Sequence, residues 1–125
     1  MPSTWALKLG NIKKMSYTNE LIPNSLDRII CVKVGKIVRE SFYEMARKYW
    51  TVKLERAKNA THVLAIVDNT VAAVYIPYEW KYTDNPRYER RCEFVGKEDI
   101  ESVYLEKSVR SFYGNSQNPV KYINL

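Results

Sequence analysis

Apolar and polar positions change period several times along the chain, and each change marks an element. Residues 28–34 (RIICVKV) form an unbroken β-branched and apolar run, which reads as a buried strand. Gly35 permits a turn into 37–50 (IVRESFYEMARKYW). There Val38, Phe42, Met45, Ala46, Tyr49 and Trp50 recur at helical spacing, and Arg39, Glu40, Glu44, Arg47 and Lys48 fill the other face, so the pattern predicts one long amphipathic helix. Thr51 can cap a short second helix over 52–59, its hydroxyl satisfying an early backbone N–H. The runs 62–67 (HVLAIV) and 70–76 (TVAAVYI) then flank Asp68-Asn69. Two residues of that kind tolerate left-handed backbone and predict a tight hairpin, with Pro77 ending or edging its second strand.

The rest of the chain is patterned more weakly. Residues 4–9 (TWALKL) suit a short strand or a turn entry, and 16–25, polar and holding Pro23, suit a loop. Residues 83–87 read as a turn, 88–95 as a further strand, 98–106 as a helical turn and 107–113 as a short helix. The loop 114–119 (GNSQNP) leads to a closing strand over 120–124. The order β-α-α-β-β-β-(α)-β, rich in hairpin signals, predicts an α+β fold. It would be a mainly antiparallel sheet with a long helix and one or two short helices on one face.

Composition narrows the classes. At 125 residues and 46% hydrophobic, the chain fits a single ligand-binding domain over 1–125 with a real core. One His and two Cys exclude a His-rich metal site, a four-cysteine zinc site and a multi-bridge disulfide scaffold. Cys31 in an apolar run and Cys92 in a charged one read as free thiols of a reducing cytoplasm. The first nine residues lack the basic leader and cleavage site of a signal peptide. Apolar stretches break well before the roughly 20 residues that a membrane span needs. The expectation is a cytoplasmic protein without a membrane partner.

Charge adds a direction. The net charge is +6, but residues 1–62 carry 12 Lys/Arg against 5 Asp/Glu (+7) and residues 63–125 carry 8 against 9 (−1). A basic balance of this size suits either a solubilising surface or a polyanionic partner. The enzymatic supply is thin. Neither GxxxxGK[ST] nor GxGxxG occurs. The lone His62 opens a strand, where a structural role is the ordinary one. Glu98, Asp99, Glu101 and Glu106 either bind a metal or solvate a helix start. A metal-dependent nuclease would have to use Glu93, Asp99 and Lys97. The expectation is a binding protein without catalytic residues, metal or cofactor.

The binding supply is richer. Ten Tyr, three Trp and three Phe stand beside basic residues, as in Arg47-Lys48-Tyr49-Trp50, Trp80-Lys81-Tyr82, Arg87-Tyr88 and Arg110-Ser111-Phe112-Tyr113. Rings stack on bases while guanidinium groups hold phosphates. Phe42, Tyr49 and Trp50 serve equally as core. Tyr82, on a polar loop before Thr83, is open to either role. The loop 114–119 is either an anion-binding nest or a plain turn. Arg28, at the entry to the first strand, Arg56 on the second helix and Arg110 before that loop are candidate phosphate ligands.

The run Ala46-Arg47-Lys48-Tyr49-Trp50, then Leu54-Glu55-Arg56-Ala57-Lys58, the hairpin HVLAIVDNTVAAVYIP ending near Trp80, and the tail Ser116-Gln117-Asn118-Pro119-Val120-Lys121-Tyr122 resemble phage-encoded anti-Thoeris sponge proteins. The resemblance spans roughly residues 28–125 and rests on no motif as specific as a zinc or phosphate-loop signature. It implies a non-enzymatic, homo-oligomeric protein acting in an infected bacterial cell. Such proteins hold a cyclic ADP-ribose-type immune messenger at a pocket where protomers meet. Arginines grip the diphosphate and an aromatic ring stacks on adenine. Carried onto this chain, it implies Arg28 and Arg110 for phosphate, Tyr82 as the stacking ring and Arg56 as a further wall. The alternative that the composition alone supports equally is a small basic nucleic-acid-binding module.

Overall fold

The structure, a computed structural model, describes residues 19–35 and 41–125. The predicted elements over 4–9, the start of the 16–25 loop and most of the first turn of the 37–50 helix lie outside them. Five strands form one sheet: β1 (Ile29–Lys33), β2 (His62–Val67), β3 (Thr70–Tyr82), β4 (Cys92–Glu98) and β5 (Val120–Ile123), in spatial order β4-β3-β2-β1-β5. Three short helices accompany them: α1 (Phe42–Ala46), α2 (Leu54–Ala57) and α3 (Arg110–Tyr113).

The sheet is mixed. β1 and β2 pair in parallel, Ile29 opposite His62, and the remaining pairs are antiparallel. The parallel pair explains the unbroken apolar runs in β1 and β2, because such strands are covered on both faces. Alternate residues go to opposite sides. Ile30, Val32, Val63, Ala65, Tyr75 and Phe94 pack with Ala46 and Ala57 under the crossover from β1 to β2. Ile29, Cys31, Leu64, Ile66 and Val74 pack with Leu21, Tyr104, Val109 and Tyr113 on the other side.

This overturns the expected long helix lying on one face of a mainly antiparallel sheet. Among the described residues the longest helix is α1, with five residues. Ser41 caps it, accepting from Glu44 N, and it ends at Ala46 because the next residues are drawn onto the sheet edge. Phe94 N donates to Arg47 O at 3.0 Å, and Trp50 and Cys92 exchange backbone bonds at 2.9 and 2.8 Å. Backbone pairing along β4 outweighs the amphipathic pattern. Thr51 is not a cap either: α2 starts at Leu54, with Lys53 in the cap position and no side-chain cap bond.

The hairpin stands as predicted. Asp68 and Asn69 hold φ of 52° and 60°, the left-handed pair of a tight turn between β2 and β3. Beyond it the strands carry two irregularities. The register slips between Ala65 and Ile66, leaving Ala72 as the extra residue. It slips again between Pro77 and Glu79, leaving Tyr78 extra and 65% exposed. β3 therefore does not end at Pro77. It runs on to Tyr82, paired with β4 alone, since β2 reaches no farther along it than Val63 opposite Tyr75. Pro77 is tolerated where β2 no longer needs its missing N–H.

The predicted strand over 88–95 starts later, at Cys92, after a 3-10 turn over Pro86–Tyr88 capped by Asn85. Residues 98–106 give turns rather than a helix. Cys31 and Cys92 are free, fully buried thiols in opposite layers.

Candidate functional site

The prolonged half of β3 creates the main concavity. Past Tyr75 its edge facing the crossover is no longer filled by β2, and α2 lies alongside without closing the gap. One lobe, of about 430 Å³, lies between Leu54, Lys58 and Ala60 on the crossover and residues 77–82 of β3. A second, wider lobe of about 1010 Å³ lies between residues 52–55 and the turn after β3, reaching Arg90. Leu54 and Tyr82 line both lobes. Tyr82 ends β3 opposite Cys92 and is 56% exposed, so its ring is available at the junction.

The turn bounding the second lobe is firmly built. Asn85 Oδ1 accepts from Arg87 N at 3.0 Å, and Thr83 Oγ1 accepts from Asn85 N at 3.2 Å. Asn85 Nδ2 donates to the Tyr49 hydroxyl at 3.3 Å, and the Tyr49 ring stacks on Tyr88 with centroids 4.1 Å apart. The floor of the first lobe is Trp80, 3% exposed and packed on Phe94. Charge along the lining is balanced: Lys53, Lys58, Lys81 and Arg90 face Glu55, Glu79, Asp84 and Glu89. Such a lining suits a compact ligand with both polar and anionic parts better than a continuous phosphate backbone.

Of the four residues singled out in the sequence, only Tyr82 lines this groove. Arg28 holds the entry of β1 to the crossover: its Nε donates to Asn59 O at 2.6 Å and its backbone N to Thr61 Oγ1 at 2.8 Å. Arg56 lies over the Tyr122 ring, 4.0 Å from its centroid, and its Nε and Nη2 both donate to Leu125 O. Arg110 opens α3 in the layer across the sheet, near Glu20. Bonds from Ser111, followed by smaller contributions that include Arg110, hold the Glu20 carboxyl below its usual range. The three arginines do not converge within one chain.

The loop 114–119 spends three of its backbone donors within the turn and the helix end before it. Gly114 N and Ser116 N donate to Arg110 O and Tyr113 O, and Asn118 N to Ser116 Oγ. His62 is held structurally, with Nδ1 2.8 Å from Thr61 Oγ1 and its ring edge-on to Tyr104. Glu93 is paired with Arg47. Among the described residues no group of three His, Cys, Asp or Glu is arranged to hold a metal ion. Nor, among them, is any helix long and apolar enough to cross a membrane.

Sequence reasoning missed Lys58, Trp80, Lys81 and Arg90 as groove residues. Reading Pro77 as ending or edging β3 left residues 78–82 without the strand alternation that sends Trp80 inward. The basic–aromatic run Trp80-Lys81-Tyr82 was the signal available. We compared the chain with protein-family models, with curated proteins and with solved structures, and none matches it.

Proposed function

We propose that the protein binds a phosphorylated nucleotide in the groove between α2 and β3 and holds it without cleaving it, and that this ligand is a cyclic ADP-ribose-type messenger. The observation that carries the reading is Tyr82, an exposed ring at the junction of two lobes, with Lys58 and Lys81 beside Glu79 in one and Lys53 and Arg90 beside Glu55, Asp84 and Glu89 in the other. The ring offers a base a stacking face, and the flanking cations offer phosphates their partners. The choice of messenger comes from the sequence resemblance, and so does the role of sequestering an immune signal in an infected cell. In that reading the pocket is completed by a neighbouring protomer. Arg28, Arg56 and Arg110 lie outside the groove of their own chain and do not converge, so the cations proposed for the phosphates are those that line the groove, Lys53, Lys58, Lys81 and Arg90.

Isothermal calorimetry with cyclic ADP-ribose, its isomers and cyclic dinucleotides tests the reading, followed by mass spectrometry of the ligand released on heating. Micromolar or tighter binding and release of an unchanged ligand are expected. Absence of binding at micromolar levels overturns it. A gel shift of oligonucleotides whose affinity falls steeply with salt would establish a nucleic-acid module instead.

A further inference from the structure

Trp80 carries the one buried side-chain polar atom without a hydrogen-bond partner among the described residues, its indole Nε1. Trp50 shows the ordinary arrangement, its Nε1 donating to Ala46 O at 2.8 Å. Buried indole N–H groups normally find an acceptor, because leaving one unpaired forfeits its hydration without replacement. Phenylalanine would fill the space against Phe94 with no donor to satisfy. The orphaned donor also belongs to a residue that lines the first lobe, together with the apolar Leu54, Ala60 and Pro77, the cations Lys58 and Lys81 and the carboxylate Glu79.

We infer that the Trp80 Nε1–H is the base-reading donor of this groove. It bonds a ring nitrogen or carbonyl oxygen of a planar heterocycle seated against Leu54, Ala60 and Pro77, while the anionic part of the same ligand meets Lys58 and Lys81. This rests on the nucleotide reading given above and adds the group that selects the base. The N–H is closed off from solvent in the ligand-free chain, so the heterocycle reaches it by displacing the lining that covers it. α2, a single turn of four residues without a side-chain cap, contributes Leu54 to that lining. A sugar phosphate alone would leave the apolar wall unfilled and the donor unmet.

The test uses the full-length protein with 15N-labelled tryptophan. Trp5, Trp50 and Trp80 give three indole N–H resonances, assigned by Trp80→Phe, or by elimination with Trp5→Phe and Trp50→Phe if Trp80→Phe does not fold. Cyclic ADP-ribose, adenosine monophosphate, adenine and ribose 5-phosphate are titrated separately. The Trp80 resonance is expected to move downfield with the three base-bearing probes and to stay in place with ribose 5-phosphate, while the Trp50 resonance does not respond. Trp80→Phe, where folded, is expected to bind adenosine monophosphate roughly tenfold more weakly by calorimetry. If a nucleotide binds calorimetrically and the Trp80 resonance does not move downfield, base reading by Trp80 is overturned and the nucleotide reading stands. If no probe binds and none moves the resonance, both are overturned.

Discussion

Arg47 and Glu93 meet at 3.0 Å, Nη2 to Oε2, with both side chains only 13% exposed. The same guanidinium donates Nε to Phe94 O at 2.8 Å and Nη1 to Glu44 at 3.2 Å. One side chain thus ties the end of α1 to the outer edge of β4. Removing one partner of a shielded pair strands the other, and that penalty exceeds the net worth of the pair. Arg47→Met is expected to lower unfolding stability by about 3 kcal/mol. Glu93→Gln should lose less, since an amide still accepts from the guanidinium. Urea denaturation of both single variants and the double variant checks this, and a coupling near zero between the sites would contradict it.

Gly96 permits the close approach of β4 to the bulge in β3. A Cβ there would run into the Ile76 carbonyl oxygen and lie 2.9 Å from Pro77 Cα, both backbone atoms that cannot swing aside. Gly96→Ala is expected to cost on the order of 2 kcal/mol or more, read as a fall in the thermal midpoint. It should also weaken ligand binding, because the bulge sets the course of β3 through the groove. An alanine variant as stable as the parent would show that the strands part without penalty.

Stability is expected to fall steeply in alkali. Burial raises the Cys31 thiol from its ordinary 9.0 to about 12 and the Tyr75 hydroxyl from 10.0 to about 12. It also raises Cys92, Tyr113 and Tyr104, the last aided by its 2.5 Å bond to Asp27. Each group keeps its proton in the folded chain at a pH where the unfolded chain has lost it. Its contribution is therefore whole below pH 9 to 10 and disappears as pH rises towards the folded-state value. Between their ordinary and folded-state values, Cys31 and Tyr75 each steepen the decline by about 1.4 kcal/mol per pH unit. Urea midpoints measured from pH 8 to 11 check the slope, and Cys31→Val should make it shallower from its onset near pH 9. The same burial leaves both thiols inert to a disulfide reagent until the chain unfolds.

What the sequence made legible were features set by neighbours along the chain. The Asp68-Asn69 turn needs two left-handed residues between apolar runs, and that chemistry is local. The buried character of β1 and β2 is likewise visible in their unbroken apolar runs. Features set by distant partners were hidden. Residues 47–50 look helical until β4 offers its edge, which the pattern of 37–50 does not encode. Pro77 looks like a strand end unless it is known that β2 stops short of it. The site suffered for the same reason. Tyr82 lines the groove, and the basic–aromatic run that made it a candidate is a local signal. Arg28 and Arg56 were candidates by residue type, but their guanidinium groups are engaged with Asn59 and Leu125, partners 31 and 69 residues away.

Tyr82 gives the sharpest separation of binding from folding. Its ring is more than half exposed and lies outside both core clusters, so truncation removes little packing. Tyr82→Ala is expected to leave the unfolding midpoint unchanged within about 0.5 kcal/mol, as surface substitutions do. Loss of a stacking ring costs about 1–3 kcal/mol per base, so affinity for cyclic ADP-ribose should fall roughly 5- to 150-fold. Tyr82→Phe keeps the ring and should bind as the parent does, whereas Tyr82→Leu keeps apolar area without the π face and should resemble the alanine variant. Calorimetry on the three variants distinguishes stacking from simple apolar contact. Equal affinity in the alanine variant and the parent would remove Tyr82 from the site and leave the first lobe, floored by Trp80, as the place where the ligand sits.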